Sequence, residues 1–258
     1  MLSELDDHMI RLKNQEQIKL MKVAGAITGE ALLVAEALVR PGISTKEIDK
    51  KIREYIEKRG ARPTFLGYGG FPGSACISIN EEVIHGIPSD KKILREGDIV
   101  KIDVGACYRG YNGDSARTFA VGRISEEAQR LIDVTRASFF AGVEKAVHGN
   151  RIGDIGSAVE CCAKDAGFSV VRKFVGHGVG AELHEDPEVP NFGTAGRGVR
   201  IYNGMTLAIE PMVNAGTADV KVLGDNWTVV TADGRLSAHY EHSVAITEDG
   251  PILLTDVK

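Results

Sequence analysis

Near the start of the chain, apolar residues recur every three or four positions, and this spacing predicts two helices. The first covers residues 14–40 and ends at a Pro-Gly pair. The second is expected over residues 44–60, because Ser44 and Glu47 form a capping box. Isoleucines follow that box at four-residue intervals, as one buried helix face requires.

The following segments alternate apolar and polar residues, which is typical of β-strands. SACISIN is one such run, and IVKIDVGACY, RGYNG and DSARTFAVG together predict a β-hairpin. Val100, Ile102 and Val104 share one face of its first arm, so Asp103 points to the other. Asp114 lies 11 positions later, across the turn, so both carboxylates are expected to reach one region.

The same order of elements then recurs, with a long helix over residues 125–147, a shorter one to Gly167, and strands again. Several residues match at an offset of 107 positions, and Ile102-Asp103 falls on Ile209-Glu210. The other matches pair Gly42, Ile48, Gly60 and Gly97 with Gly149, Ile155, Gly167 and Gly204.

Two copies are too few for a solenoid. The pattern therefore predicts one α+β domain over residues 1–258, with a duplicated half packed against its twin around a shared site. The halves span about 14–122 and 125–258. The alternative is a chance likeness, since the matched residues are common in turns and cores.

Composition excludes several classes of protein. The chain is 43% hydrophobic and 26% charged, as in ordinary globular proteins. Its net charge of -5 gives no general attraction to nucleic acid or anionic membranes. The four cysteines lack CxxC spacing, the N-terminus is too polar for a secretory signal, and no apolar run approaches a membrane span. We therefore expect a cytoplasmic protein.

The stretch FVGHGVGAELHEDP places His177 and His184 seven positions apart among glycines. Glycines at 176, 178 and 180 disfavour a helix, so a glycine-rich loop that approaches a ligand closely is expected. A flexible surface loop with solvated histidines is the alternative.

Two further acids lie inside apolar, strand-like text, Glu210 in MTLAIEPMV and Glu241 in LSAHYEHSVAIT. Together with Asp103 and Asp114 they would repel each other if gathered and left bare. Nearby basic residues are few. Four carboxylates and one neutral histidine carry four negative charges, which balance the four positive charges of two divalent ions. Such oxygen-rich ligands suit Mn, Fe(II) or Co.

Five motifs, in order and in register, carry a resemblance to a known family: VIHGIP, KIDVGACYRGYNGDSARTF, GHGVGAELHEDP, MTLAIEPMV and SAHYEHS. Over essentially its whole length the chain resembles type I methionine aminopeptidases of the bacterial kind. The resemblance implies the pita-bread fold, with two pseudo-twofold halves around a dinuclear metal centre. It also implies hydrolysis that removes the initiator methionine when the second residue is small.

Matched position by position, the resemblance assigns roles to the acids and histidines. Asp103 would chelate one metal, Asp114 and Glu241 would bridge both, and His177 and Glu210 would complete the other. Glu210 would also shuttle a proton to the leaving amine. His184 would stabilise the oxyanion and His85 would contact the scissile peptide nitrogen. His85 could instead cap a turn.

The resemblance also implies a pocket for the methionine side chain, lined by Tyr68, Phe71, Cys76, Leu183 and Trp227. Their alternative role is simple core packing. Gly69 stands where several members have histidine and Phe65 where some have cysteine, so the pocket rim is expected to differ from theirs. Asn80 and Ser237 match residues that some members use to hold a monovalent cation.

Partners implied by the family are nascent polypeptides and peptides with N-terminal Met, with transient ribosome contact, and a monomeric state. Prolidase and aminopeptidase P share the acids but carry an extra N-terminal domain, whereas this chain begins its catalytic half near residue 14. Non-catalytic pita-bread proteins have lost metal ligands. Because all five ligand types are present here, the sequence favours an enzyme.

Overall fold

The structure is a computed structural model that describes residues 9–257. Within that range, four α-helices and fifteen β-strands alternate in blocks. The helices are α1 (Gln15–Leu38), α2 (Thr45–Lys58), α3 (Glu126–Val143) and α4 (Ile152–Asp165), and a 3-10 helix spans Tyr68–Gly70. None of these helices combines the length and the apolar character needed to cross a membrane.

The strands divide at α3 into an earlier and a later group. The earlier strands are β1 (Arg62–Pro63), β2 (Ala75–Ile79), β3 (Glu82–Ile84), β4 (Ile99–Tyr108) and β5 (Tyr111–Ala120). The later strands are β6 (Ser169–Val170), β7 (Gly176–Gly178), β8 (Glu185–Val189), β9 (Thr206–Ile209), β10 (Met212–Asn214), β11 (Val220–Val222), β12 (Val229–Thr231), β13 (Ser237–His239), β14 (His242–Thr247) and β15 (Gly250–Leu253).

The predicted helices are present, with one shorter than expected. Asn14 caps α1 through a capping box with Gln17, and the Ser44 side chain accepts the Glu47 N–H at the start of α2. Helix α3 ends at Val143, before the expected residue 147. The chain tightens there because the N–H groups of Lys145 and Ala146 bind carbonyls only three residues back.

The strands form four antiparallel sheets within residues 9–257. One has the order β1-β4-β2, with β5 pairing on β4, and the largest has the order β15-β14-β9-β7-β8. Two three-stranded sheets, β13-β10-β6 and β11-β12-β3, complete the set. The predicted hairpin is confirmed as β4-β5, and its turn is the tight Arg109-Gly110 pair because Tyr108 pairs with Tyr111.

Each half has its own apolar core. Ile48, Ile52 and Ile56 of α2 are fully buried against β2 and β4 in one cluster. Phe139 of α3 packs with Ile209 of β9 and residues of α4 and β14 in the other. The α+β class expected from the pattern is confirmed. Strand β4 of the first half and strand β9 of the second each pack one face against their core. The opposite face of each strand is available for a site.

Backbone details recur at the offset of 107 residues. The bridge between Ser44 and Ile93 has a counterpart between Arg151 and Arg200. The hydrogen bond from Gly42 N–H to the Leu94 carbonyl likewise recurs from Gly149 to Ile201. The three glycine pairs matched in sequence all have positive φ, of 90° and 95°, 72° and 82°, and 91° and 90°. These correspondences support the proposal of one domain made of two duplicated halves.

Candidate active site

The β4-β5 hairpin presents two acids on the face away from the first core. Asp103 lies between Ile102 and Val104, both fully buried in that core. Asp114 of β5 pairs with Gly105 of β4, so the two carboxylates lie almost side by side. Oδ1 of each is buried and has no hydrogen-bond partner. The sequence-based placement of Asp103 and Asp114 together therefore agrees with the structure.

Glu241 comes from the second half, and two hydrogen bonds of its own and two of Ser243 fix it against the first. Its N–H donates to the Ala116 carbonyl at 2.9 Å, and its carbonyl accepts from Ser115 Oγ at 2.6 Å. Ser243 Oγ accepts the Asp114 N–H and donates to the Asp114 carbonyl. The two halves are thus joined by backbone contacts at the acids themselves, which sets Glu241 beside Asp114.

His177 lies in a strand, so the predicted glycine-rich loop is wrong over Gly176–Gly178, which form β7. The glycines are there for close packing: a Cβ at Gly176 would meet the Ala208 oxygen at 2.3 Å, and one at Gly178 the Asp186 oxygen at 2.4 Å. They let β7 lie between β8 and β9. His184 does lie in a loop, between β7 and β8.

The orientation of the His177 ring prepares one nitrogen for a metal ion. Nδ1 donates to the Gly178 carbonyl at 2.8 Å, which leaves Nε2 as the free lone pair. Nε2 lies 3.4 Å from Glu210 Oε1 and 3.8 Å from Asp114 Oδ2. Burial lowers the pKa of His177 to about 3, with His184 adding to the effect, so the ring is neutral as a ligand must be.

The four acids are held in a site that strongly disfavours their charges. Burial raises the pKa of Asp114 to about 7. Burial, followed by repulsion from the neighbouring carboxylates, raises the pKa values of Asp103, Glu210 and Glu241 well above their usual range. Within residues 9–257, no lysine or arginine forms an ion pair with any of the four.

This donor set fits divalent metal ions. Ligand atoms of Asp114, His177 and Glu241 all lie within 4.8 Å of one another. Buried carboxylate oxygens of Asp103, Asp114 and Glu241 have no hydrogen-bond partner, as expected of groups whose partner is a cation. Four carboxylates and a neutral imidazole match the charge of two dications. The acids therefore fit the ions that the sequence predicts.

An apolar cavity of about 210 Å³ opens onto these ligand-type residues. All five residues predicted for the substrate pocket line it, namely Tyr68, Phe71, Cys76, Leu183 and Trp227. The Phe71 and Trp227 rings meet edge to face, with centroids 5.1 Å apart. Phe65 also lines the cavity, and a Cβ at Gly69 would touch Trp227 at 3.4 Å. Both departures from the family pattern therefore lie at this pocket.

Two more histidines border the cavity. The His184 ring centroid lies 4.2 Å from that of His177, and its Nδ1 is hydrogen-bonded to the Tyr68 hydroxyl at 2.7 Å. His85 has the left-handed φ of 59° and packs edge-on against Phe174. Burial lowers the pKa of His85 to about 4, so its imidazole is neutral. Both predicted substrate histidines therefore face the predicted pocket.

Asn80 and Ser237, expected as a monovalent-cation site, do not fit a bound ion. The Asn80 carbonyl already accepts the ammonium of Lys101 at 2.7 Å and the Ser237 N–H at 3.1 Å. Lys101 is almost completely buried, which lowers its pKa to about 7, and its Nζ already provides a hydrogen-bond donor for this carbonyl. The Ser237 hydroxyl is turned to the Val213 carbonyl.

Sequence reasoning missed four residues around the site. Ile84, Phe174 and Val175 line the cavity, and the last two directly precede the GHGVG text. His239 is fully buried, with neither ring nitrogen hydrogen-bonded, and its Nε2 lies 3.9 Å from Glu241 Oε2. It stands in the quoted motif SAHYEHS, so its position two residues before a ligand was the available signal.

Comparison with known proteins agrees with this geometry. Residues 19–248 match the model of metallopeptidase family M24. A methionine aminopeptidase of Clostridium acetobutylicum is 56% identical over 247 residues, covering 96% of this chain and 99% of that protein. The crystal structure of methionine aminopeptidase from Thermotoga maritima superposes with a TM-score of 0.95 at 44% identity, covering 96% of this chain and all of that one.

The chain therefore belongs to metallopeptidase family M24. Within that family it is similar to bacterial methionine aminopeptidases, which confirms the resemblance that the five motifs carried. A prolidase from Pyrococcus furiosus, at 24% identity and a TM-score of 0.79, shares the fold across all of this chain and 68% of its own. The pita-bread fold expected from the sequence is thereby confirmed.

Proposed function

We propose that the protein is a metalloaminopeptidase that removes the initiator methionine from nascent proteins and peptides when the second residue is small. One observation carries the proposal: ligand-type side chains from both halves converge where an apolar cavity opens onto them. Similarity to methionine aminopeptidases over nearly the whole chain supports it.

The five ligands keep the roles that the family pattern implies. Asp103, Asp114, Glu241, His177 and Glu210 would together hold two divalent ions, with Asp114 and Glu241 shared between them, Asp103 on one side and His177 and Glu210 on the other. When bound, the ions polarise the substrate carbonyl and lower the pKa of a water to near neutrality. Mn, Fe(II) and Co all suit this oxygen-rich set, and cellular supply decides among them.

The remaining chemistry belongs to side chains at the cavity. Glu210 would accept a proton and pass it to the leaving amine. His184 stabilises the oxyanion as a hydrogen-bond donor, and its contact with Tyr68 fixes its ring. His85, neutral and half-buried, contacts the scissile peptide nitrogen.

The thioether side chain of the substrate enters the apolar cavity. Phe71, Cys76 and Leu183 are nearly fully buried there and belong to one apolar cluster, which Trp227 and Phe65 extend. Tyr68 lies at the more exposed edge. An apolar wall of this kind recognises shape rather than charge, so norleucine should replace methionine with little loss.

The setting we propose is the cytoplasm, where the protein acts as a monomer on nascent chains in transient contact with ribosomes. The net charge of -5 supports a protein that does not bind nucleic acid or anionic membranes. Four free cysteines are consistent with a reducing compartment.

The test is hydrolysis of Met-Gly-Met-Met by protein stripped with a chelator and reloaded anaerobically with Mn, Co or Fe(II). Release of the first methionine only in reloaded samples is expected. The matched control is Met-Leu-Met-Met, whose bulky second residue should prevent cleavage. No cleavage of Met-Gly-Met-Met with any of the three ions would contradict the proposal and favour a binding protein.

A further inference from the structure

A buried ion pair links the start of the chain to the loop that carries His184. The Lys13 ammonium donates to Glu185, and both side chains are only 5% exposed. The same ammonium donates to the Arg11 carbonyl at 2.8 Å, and the Lys13 N–H donates to the Gly204 carbonyl at 2.7 Å. Lys13 is therefore anchored by its backbone and its side chain, outside the ligand set already described.

The loop above this pair is residues 179–184, between β7 and β8. It carries Leu183, a wall of the cavity, and His184. Glu185, the first residue of β8, directly follows the loop, and its Oε1 also accepts the Glu182 N–H at 3.2 Å. The Glu185 carboxylate thus contacts both the loop backbone and the Lys13 ammonium.

Gly180 shows how closely the pair is fitted under the loop. A Cβ there would lie 2.5 Å from Lys13 Cε and 2.6 Å from Glu185 Oε1. Asn112 of β5 holds the same turn, since its amide donates to the carbonyls of Gly180 and Ala181 at 3.0 Å each. The loop is therefore fixed on one side by the strand that bears Asp114 and on the other by Lys13.

We propose that Lys13 and Glu185 are positioning residues that hold the 179–184 loop, and so set Leu183 and His184 against the substrate. This inference rests on the proposed aminopeptidase function. Neither residue touches substrate or metal; they act through the loop backbone. Small displacements of a reacting group lower rates strongly, by about 100-fold for 1 Å, so a loosened loop should affect turnover more than metal binding.

The decisive variant is the double substitution Lys13→Met with Glu185→Leu, which removes both charges and fills similar volume. Exchanging a buried ion pair for apolar residues commonly leaves stability unchanged or improved, so this variant should fold. We expect wild-type unfolding midpoint and wild-type metal affinity, with kcat reduced by about 10-fold to 100-fold. The single variant Lys13→Arg keeps the charge and the hydrogen-bond donor, so its kcat should lie between those of the double variant and the wild type.

The control is Lys19→Met, which removes the exposed ion pair of Lys19 with Glu16 on the same stretch of chain. It should leave kcat, KM and stability unchanged.

A second measurement needs no activity and so separates this inference from the proposed function. Amide hydrogen exchange of the metal-free double variant should be faster in residues 181–185 and unchanged in the β4-β5 hairpin. The inference is overturned if the stable double variant has wild-type kcat, or if exchange in the loop does not change. If the wild type cleaves no methionyl peptide but the exchange result holds, the positioning role survives and the proposed function fails.

Discussion

The acid cluster should carry bound protons in the metal-free protein. Metal binding should therefore depend on the pH at which metal-stripped protein is reloaded. With its pKa raised to about 7 by burial, Asp114 is mostly protonated at pH 6. Asp103, Glu210 and Glu241 are shifted in the same direction. A metal ion binds only the ionised carboxylates, so loading at pH 6 must expel protons.

The magnitude follows from the shift. Below its pKa, ionising a carboxyl becomes harder by about 1.4 kcal/mol per pH unit, which is about tenfold in affinity for each proton released. Because pH 7 is already at its pKa, Asp114 alone should raise metal affinity about fivefold between pH 6 and pH 7, and the other acids add to that slope. His177 contributes nothing, since its pKa is about 3.

Calorimetric titration of Mn²⁺ into stripped protein, in two buffers of different ionisation enthalpy, counts the protons directly. We expect more than one proton released per protein at pH 6 and a count about one lower in Asp114→Asn. Acids with ordinary pKa values would already be ionised at pH 6. A metal affinity that is flat from pH 6 to pH 7, with no proton release, would refute the reasoning.

Three further outcomes follow from the structure. Glu210→Gln should reduce kcat on Met-Gly-Met-Met by at least about 100-fold, because it removes both a ligand and the proton shuttle; near-normal turnover would count against both roles. Gly176→Ala should lower the free energy of unfolding by about 1–3 kcal/mol in urea denaturation, since its Cβ meets the Ala208 oxygen, whereas Gly224→Ala, with open space around it, should not. Replacing sodium and potassium chloride by choline chloride at equal ionic strength should change neither activity nor melting temperature, because Lys101 already donates to the Asn80 carbonyl. Activity or melting temperature that depends on Na⁺ or K⁺ would mean that this carbonyl belongs to an ion site.

Much of the fold could be predicted because local patterns and the final packing agree. The isoleucines of α2 are spaced for one face and are all fully buried. The face of Asp103 followed from strict alternation in β4, and the duplication could be read from residues whose positive φ recurs in both halves. The end of α3 could not be predicted, since its apolar pattern contains no signal for the tighter turn after Val143.

The site was less predictable where it depends on neighbours distant in sequence. The GHGVG text looked like a loop because glycine weakens strands, yet here glycine is what lets three strands pack closely. Only the fold brings Lys101 to the Asn80 carbonyl, 21 positions earlier in the chain. The ion pair of Lys13 with Glu185 joins residues 172 positions apart, which no local pattern reveals.

Anomalous diffraction from crystals loaded with Mn²⁺ would test the central claim most directly. The account predicts two peaks, about 3.5–4 Å apart, enclosed by Asp103, Asp114, His177, Glu210 and Glu241. A cluster without bound manganese, or peaks only elsewhere on the protein, would contradict it.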